Sequence, residues 1–388
     1  MNRENRDEHW MKLALELAKG GEGWVEPNPM VGCVVVCDGE LISSGYHERF
    51  GGPHAEVQAL RGLDAERLSR STVYVTLEPC AHHGKTPPCV DLFLERPVRR
   101  VVVAMEDPFA QVSGRGISKL REARIEVHVG VSRAESRALN APYLKRLETG
   151  LPWVIAKWAM SLDGAIATRT GDSKWISNAL SRHQVHRLRS RVDAILVGSS
   201  TVLADDPMLT ARLGPEEPIA RRATRVVLDR RFRIGLESQL VRSARDVPVL
   251  VVVDRESTRG QAAKHRAFCE AGVEFLEFEP SLARDSRAGL ERMLREVADR
   301  GGSNLLVEGG AEVLGGLFDA GLVDQVECYI GPKVIGGKGS LRAVAGMGMS
   351  EISKGFGFER VRWESLEGDL HFSGVLAKCP SETLGALE

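Results

Sequence analysis

Apolar residues recur at Trp10, Leu13, Ala14 and Leu17, the i, i+3, i+4, i+7 spacing of an amphipathic helix, with Asp7 as its expected cap. A nearly unbroken apolar run follows over 31–37. Asp38-Gly39, a dipeptide favoured in type I′ turns, then leads into a second strand pattern over 41–46 that returns antiparallel. From there helix and strand periods alternate: helix over 54–60, strand over 72–76, helix over 90–95, strands over 98–105 and 125–129, and a helical stretch over 134–147 broken at Pro142. A second series of strands is expected at 154–158, 194–197, 225–228, 249–253, 274–278, 304–307 and 325–330, with helical patterns between them. Gly150 and Pro152 stop the preceding helix where the rhythm restarts. The boundary is therefore placed near 148, giving α/β units over 1–148 and 149–388. No repeat, heptad or low-complexity tract interrupts the pattern.

Composition excludes several functions. A chain of 388 residues fits two domains at roughly 150 residues each. Its 52 Lys and Arg balance 53 Asp and Glu, a formal charge of -1, so no global basic field draws in nucleic acid or an anionic membrane. No apolar stretch approaches the ~18 residues of a membrane span, and Met1-Asn2-Arg3-Glu4-Asn5-Arg6-Asp7 lacks the apolar region of a signal peptide. A cytoplasmic protein is expected. Seven irregularly spaced cysteines fit a reducing compartment better than a disulfide framework. Arg221-Arg222 and Arg230-Arg231 read as solvated loop pairs.

The sharpest chemistry is His54-Ala55-Glu56 followed by Pro79-Cys80 and Cys89. One imidazole and two thiolates make a catalytic zinc set of three protein ligands, with the fourth tetrahedral position left to water. Glu56 is then the proton carrier beside that water, and the pattern as a whole is the zinc-deaminase signature, implying hydrolytic loss of ammonia. Cys33 and Cys37 share a strand face with Val35 and read as small core residues.

Eight residues, Ala81-His82-His83-Gly84-Lys85-Thr86-Pro87-Pro88, separate the two thiolates, departing from the C-x-x-C spacing of that signature. With Pro27-Asn28-Pro29-Met30-Val31-Gly32, Gly45-Tyr46-His47 and Glu78-Pro79-Cys80, the segment resembles the deaminase half of the bifunctional riboflavin-biosynthesis deaminase/reductase family. The resemblance implies a cytidine-deaminase-like α/β/α domain acting on 2,5-diamino-6-ribosylamino-4(3H)-pyrimidinone 5′-phosphate. It implies substrate contacts from Asn28, His47, Lys85 and Asp107, with His54, Cys80 and Cys89 on zinc and Glu56 catalytic. The run 107–116 departs from the family pattern at Phe109 and Ala110, and a phenyl ring cannot replace an amide's hydrogen bonds.

In the second half no G-x-G-x-x-G follows a strand, and the glycines of 331–339 lack the Gly-Lys-Ser/Thr spacing of a P-loop. Val307-Glu308-Gly309-Gly310-Ala311, at a strand end and helix start, lets a phosphate approach backbone N–H groups. Read with 157–164, 173–177, 193–198 and 201–212, it resembles the reductase half of the same family, which implies a dihydrofolate-reductase-like fold and NADPH reduction of the opened ribosyl group at C1′. By that resemblance Ala159, Trp175, Thr201, Asp205, Gly310, Ala311, Glu312, Val313, Leu314, Gly315 and Gly316 hold the dinucleotide. Ser173, Arg189, Leu209, Arg212 and Glu308 hold the substrate, the arginines as a phosphate clamp. Where the family often has Ser after the Asp of its next strand, this chain has Asp229-Arg230, and Arg230 or Arg231 could meet the 2′-phosphate of NADPH. A homo-oligomer is also implied. Two rivals stand beside this reading: a nucleic-acid base or nucleoside deaminase with an accessory domain, and a binding protein in which one half has lost activity.

Overall fold

The turn at Asp38-Gly39 joins β1 (Gly32–Cys37) to β2 (Glu40–Tyr46), both turn residues having positive φ, 53° and 90°. The computed structural model describes residues 2–82, 87–279 and 287–377, and the chain divides into two units, Met1–Gly150 and Leu151–Glu388. Gly150, at φ 70°, caps helix Ala141–Thr149.

In the first unit β3 (Ser71–Val75), β4 (Arg100–Val103) and β5 (Glu126–Val129) complete a sheet of order β2-β1-β3-β4-β5. β1 runs antiparallel to both its neighbours, and the other pairs are parallel. Alternate residues enter two cores. Cys33, Val35, Val73, Val75, Val101 and Val103 pack with helices Ala55–Leu60 and Cys89–Leu94, while Val34, Val36, Tyr74 and Val102 pack with helix Arg3–Ala18.

That first helix begins earlier than its apolar pattern implies, because Asn2 already caps it by accepting from Asn5 N. Asp7 is thus not a cap. Its carboxylate lies on the buried face and accepts two bonds from Arg100, at 2.7 and 2.6 Å, and one from the Tyr74 hydroxyl at 2.9 Å. Burial raises this carboxyl, and the bonds from Arg100 and Tyr74 more than reverse the effect, leaving it below its usual value. The stretch 134–147 breaks at Asn140, and Pro142 sits in the first turn of the next helix, where a missing N–H costs nothing. Helices Ala65–Arg70 and Arg115–Glu122 carry no signal in the pattern above.

The second unit contains β6 (Trp153–Ser161), β7 (Ala165–Ala167), β8 (Ala194–Gly198), β9 (Thr224–Leu228), β10 (Val249–Asp254), β11 (Val273–Phe278), β12 (Asn304–Val307), β13 (Gln325–Gly331), β14 (Leu341–Arg342), β15 (Phe358–Leu366) and β16 (Asp369–Leu376). Nine of them form one sheet of order β11-β10-β9-β8-β12-β6-β13-β16-β15, parallel from β11 to β13 and closed by the antiparallel hairpin β15-β16. The parallel strands are almost wholly apolar because both faces are covered. Leu196, Val226 and Leu250 enter one core, and Ile195, Val227 and Val251 the other.

Candidate active sites

In the first unit, His54 is the residue before helix Ala55–Leu60, Cys89 opens helix Cys89–Leu94, and Cys80 lies between β3 and that second helix. One ligand atom from each falls within 4.8 Å of the others, and both sulfurs face Nδ1 of His54. Tetrahedral bonds of about 2.3 Å to sulfur and about 2.05 Å to nitrogen separate N and S by about 3.6 Å. The distance to Cys80 is 3.6 Å and that to Cys89 is 3.1 Å, about 0.5 Å tighter, so the donor set fits zinc. Hydrogen bonds from Cys89 and His54 hold the Cys80 thiol well below its usual range, as a metal ligand requires. Glu56, 3% exposed in the first turn of the same helix as His54, touches the Cys89 thiol, and burial pushes its carboxyl up to about 6.

His47 and Asn28 adjoin this centre. The His47 ring packs edge-on to His54 with centroids 5.3 Å apart; its Nδ1–H donates to Pro53 O at 3.0 Å, and its Nε2 accepts from Asn28 Nδ2 at 3.3 Å. Burial lowers the His47 imidazole, keeping the neutral form that this pairing needs. Asp107 is also buried, but its Oδ1 already accepts from Phe109 N at 3.0 Å and from the Tyr143 hydroxyl at 2.9 Å. Lys85 lies outside the described residues. The Phe109 ring, the departure noted above, meets His82 edge-on at 5.7 Å.

What organises this wall is Glu78, to which the sequence analysis gave no role. Its buried carboxylate accepts four backbone N–H groups, from Asp107 at 3.2 Å, Gly114 at 2.9 Å, Gly116 at 2.8 Å and Ile117 at 3.2 Å. A Cβ on Gly116 would lie 2.2 Å from Pro79 O, so only glycine allows the approach. Gly116→Ala is expected to cost about 1–3 kcal/mol, read as a lower urea midpoint of the full chain.

In the second unit Glu308 directly follows β12, and Lys157 stands level with it on β6, since Val307 pairs with Ala156. Arg189 grips Glu308 with two bonds, Nε to Oε1 at 2.5 Å and Nη2 to Oε2 at 2.7 Å, and Lys157 Nζ lies 3.8 Å from Oε2. Burial alone would raise the Glu308 carboxyl, yet Arg189 and then Lys157 reverse this and hold it at about 2. Arg189 therefore spends its fork on a carboxylate of its own chain. Arg212 is exposed, and its backbone N–H donates to His186 Nδ1 at 3.3 Å; burial, with Arg189 and Arg212 nearby, lowers that imidazole to about 4. Lys157, the first residue of the run 157–164 but given no role there, and His186, which no motif above marked, belong to this cluster. His186 had one available signal, a position one helical turn before Arg189.

The remaining expected residues divide. Gly309 and Gly310 take φ of 130° and 82° at the turn into helix Ala311–Asp319, with Thr201 beside Gly309. Glu312, Val313 and Gly316 line a cavity of about 770 Å³. The Leu314 and Leu209 side chains are core residues, 1% and 3% exposed, leaving only their backbone to a ligand. Gly315 serves packing, since a Cβ there would lie 2.4 Å from the Ala345 carbonyl carbon. Trp175 is exposed under the Arg182 guanidinium at 4.5 Å, next to the Lys174 to Asp205 ion pair at 3.6 Å. Ser173 is half-buried, and Ala159 packs beside Tyr329.

Comparison with known proteins identifies the family of both units. Residues 4–105 match the cytidine and deoxycytidylate deaminase zinc-binding region, and residues 152–372 match the RibD C-terminal domain. The riboflavin biosynthesis protein RibD of Actinobacillus pleuropneumoniae is 40% identical over 348 residues, covering 90% of this chain and 89% of that protein. The chain belongs to the RibD family. RibD of Escherichia coli K12 is 37% identical, covering 95% of this chain and all of that one. Form 1 of Acinetobacter baumannii RibD superposes with a TM-score of 0.83 at 33% identity, over 97% of this chain and 100% of that one. A Thermotoga maritima diaminohydroxyphosphoribosylaminopyrimidine deaminase/5-amino-6-(5-phosphoribosylamino)uracil reductase gives 0.81 at 35% identity, with the same coverage. As a RibD-family member the chain is a bifunctional enzyme of riboflavin biosynthesis, a zinc-dependent deaminase joined to a reductase. A base deaminase with an accessory domain is not favoured, because the second unit is itself the RibD domain.

Proposed function

We propose that the first unit deaminates 2,5-diamino-6-ribosylamino-4(3H)-pyrimidinone 5′-phosphate and that the second reduces the ribosyl group of the product to ribityl with NADPH. The observation that carries the first step is a buried carboxylate, Glu56, beside three converging ligand atoms. When bound, zinc supplies a water acidified to a pKa of about 7. Glu56 takes the proton that this water gives up and delivers it to the departing amine, so that amine and water become carbonyl and ammonia. Asn28, aligned by His47, presents its carboxamide to the ring, and Asp107, fixed by Tyr143, supports the neighbouring wall.

In the second unit NADPH, when bound, supplies the hydride that C1′ of the opened ribosyl group receives. Lys157, whose ammonium burial makes more acidic, is the nearby proton source for the amine nitrogen. Ser173 and Arg212 meet the phosphorylated ribose, while Arg189 and Glu308 hold Lys157 in place.

The working form is read as a cytoplasmic homo-oligomer that binds neither nucleic acid nor membrane. The balanced formal charge of -1 supports the absence of a nucleic-acid or anionic-membrane partner. The outer strand β15 leaves Trp363 58% and Val361 47% exposed, an apolar edge suited to a second copy, and sedimentation velocity tests it.

The two reactions are tested by giving the zinc-loaded protein this substrate without and then with NADPH. Ammonia release first, followed by stoichiometric NADPH oxidation, is the expected sequence. Oxidation of NADPH before any ammonia appears would reverse the order, and no ammonia at all would remove the substrate assignment.

A further inference from the structure

The cavity beside helix Ala311–Asp319 is walled by the last residues of four neighbouring strands, Gly198 of β8, Leu228 of β9, Asp254 of β10 and Phe278 of β11. Ligands of open parallel sheets bind outside these carboxyl ends. Sheet order fixes how an extended ligand lies there. Glu308 and Lys157 belong to β12 and β6, so the reacting end is at that side, and β10 is three strand steps from β12, about 14 Å at about 4.8 Å per step. The far end of a dinucleotide thus falls among β9, β10 and β11. Val252, Phe278, Leu290 and Met293 give that end an apolar surface on which a purine can rest.

The loop leaving β9 brings three arginines, Arg230, Arg231 and Arg233, to the same cavity. Two of them are engaged within the chain. Arg230 Nε lies 3.9 Å from Asp254 Oδ2, drawing off the one carboxylate at the end of β10, and Arg233 donates to Ser199 Oγ at 2.7 Å with Asp229 at 3.8 Å. Arg231 is different: its side chain is exposed, and among the described residues no carboxylate pairs with it. A guanidinium in that position has its whole fork available for a dianion.

Resting on the reading of this unit as a dinucleotide-dependent reductase, we propose that Arg231 binds the 2′-phosphate of the adenosine half and makes the enzyme selective for NADPH over NADH. Arg230 assists by neutralising Asp254, which would otherwise repel the phosphate and favour an unmodified ribose diol. Glu312, in the first turn of the helix that follows β12, gives the opposite charge to the part of the cavity nearer the reacting end, so the field orients the ligand.

The test is calorimetric binding of NADPH, NADH, adenosine 2′,5′-bisphosphate and 5′-AMP to the full-length protein and to Arg231→Ala and Arg231→Lys. Arg231→Ala should weaken NADPH and the bisphosphate about tenfold or more, the loss expected for a charge-assisted bond. NADH and 5′-AMP should bind it as they bind the parent, and Arg231→Lys should recover part of the loss. Unchanged NADPH affinity, or equal losses for NADPH and NADH, overturns the assignment of Arg231 alone. A parent protein that binds neither dinucleotide overturns the reductase reading and this inference together.

Discussion

Glu56→Gln is expected to lower ammonia release by about 10²- to 10⁴-fold, the range for a lost general acid–base group. Zinc content and NADPH-dependent reduction of already deaminated substrate should stay at parental levels. Glutamine keeps the shape of the buried side chain but cannot carry a proton between water and amine. Glu56 is not among the three ligand atoms, so the metal should remain, and it belongs to the first unit, so the second reaction should be untouched. Metal analysis and the two assays on one preparation separate the possibilities. Loss of zinc along with activity would make Glu56 a ligand or a support for the ligands, and retained deamination would remove it from the chemistry.

Glu308→Gln should be the most damaging single change in the second unit. It leaves Arg189 and Lys157 buried side by side without a counter-charge, and removing one partner of a buried ion pair costs about 3–5 kcal/mol. NADPH oxidation should fall to background while ammonia release continues. The pH dependence has a definite sign. The Glu308 carboxyl is held at about 2, below its reference value of 4.5, so the unfolded chain binds more protons than the native one between those values. The stabilisation is complete above about pH 4.5 and disappears as pH falls toward 2, so denaturation curves of parent and Glu308→Gln should converge at low pH. A variant whose deficit is the same at pH 3 and pH 7 would show that packing, not charge, sets its stability. Glu308→Asp, which keeps the charge but cannot reach both nitrogens, should fall between the two.

The zinc centre was readable from the chain because its chemistry is carried by residue type. Histidine, glutamate and two cysteines in that order have few other uses, and two helix starts bring His54, Glu56 and Cys89 to Cys80. Strands read well wherever both faces are buried, since continuous apolar runs such as 249–253 have no polar alternative. The hairpin β15-β16 did not, because β15 is exposed along all but its last residue and shows no apolar run; the Glu367-Gly368 turn was the available signal. Asp7 was misread because a carboxylate near a helix start has the same local appearance whether it caps or pairs across the sheet with Arg100, 93 positions away. The role of Glu78 is likewise invisible in sequence, because its partners are backbone N–H groups, which every residue but proline possesses.

That last property reaches beyond stability. A segment held by its main chain is indifferent to most of what its exposed side chains become, so 108, 110, 111 and 113 can drift while the clamp from Glu78 persists and Val112 stays buried. Phe109 and Ala110, which depart from the resembled pattern beside a complete set of three ligand residues, fit that tolerance. For protein engineering, the segment is a natural cassette: a library over 108–111 and 113, with buried Val112 and the anchored positions 107, 114, 116 and 117 kept, would vary the face offered to new pyrimidines while Glu78 keeps its grip.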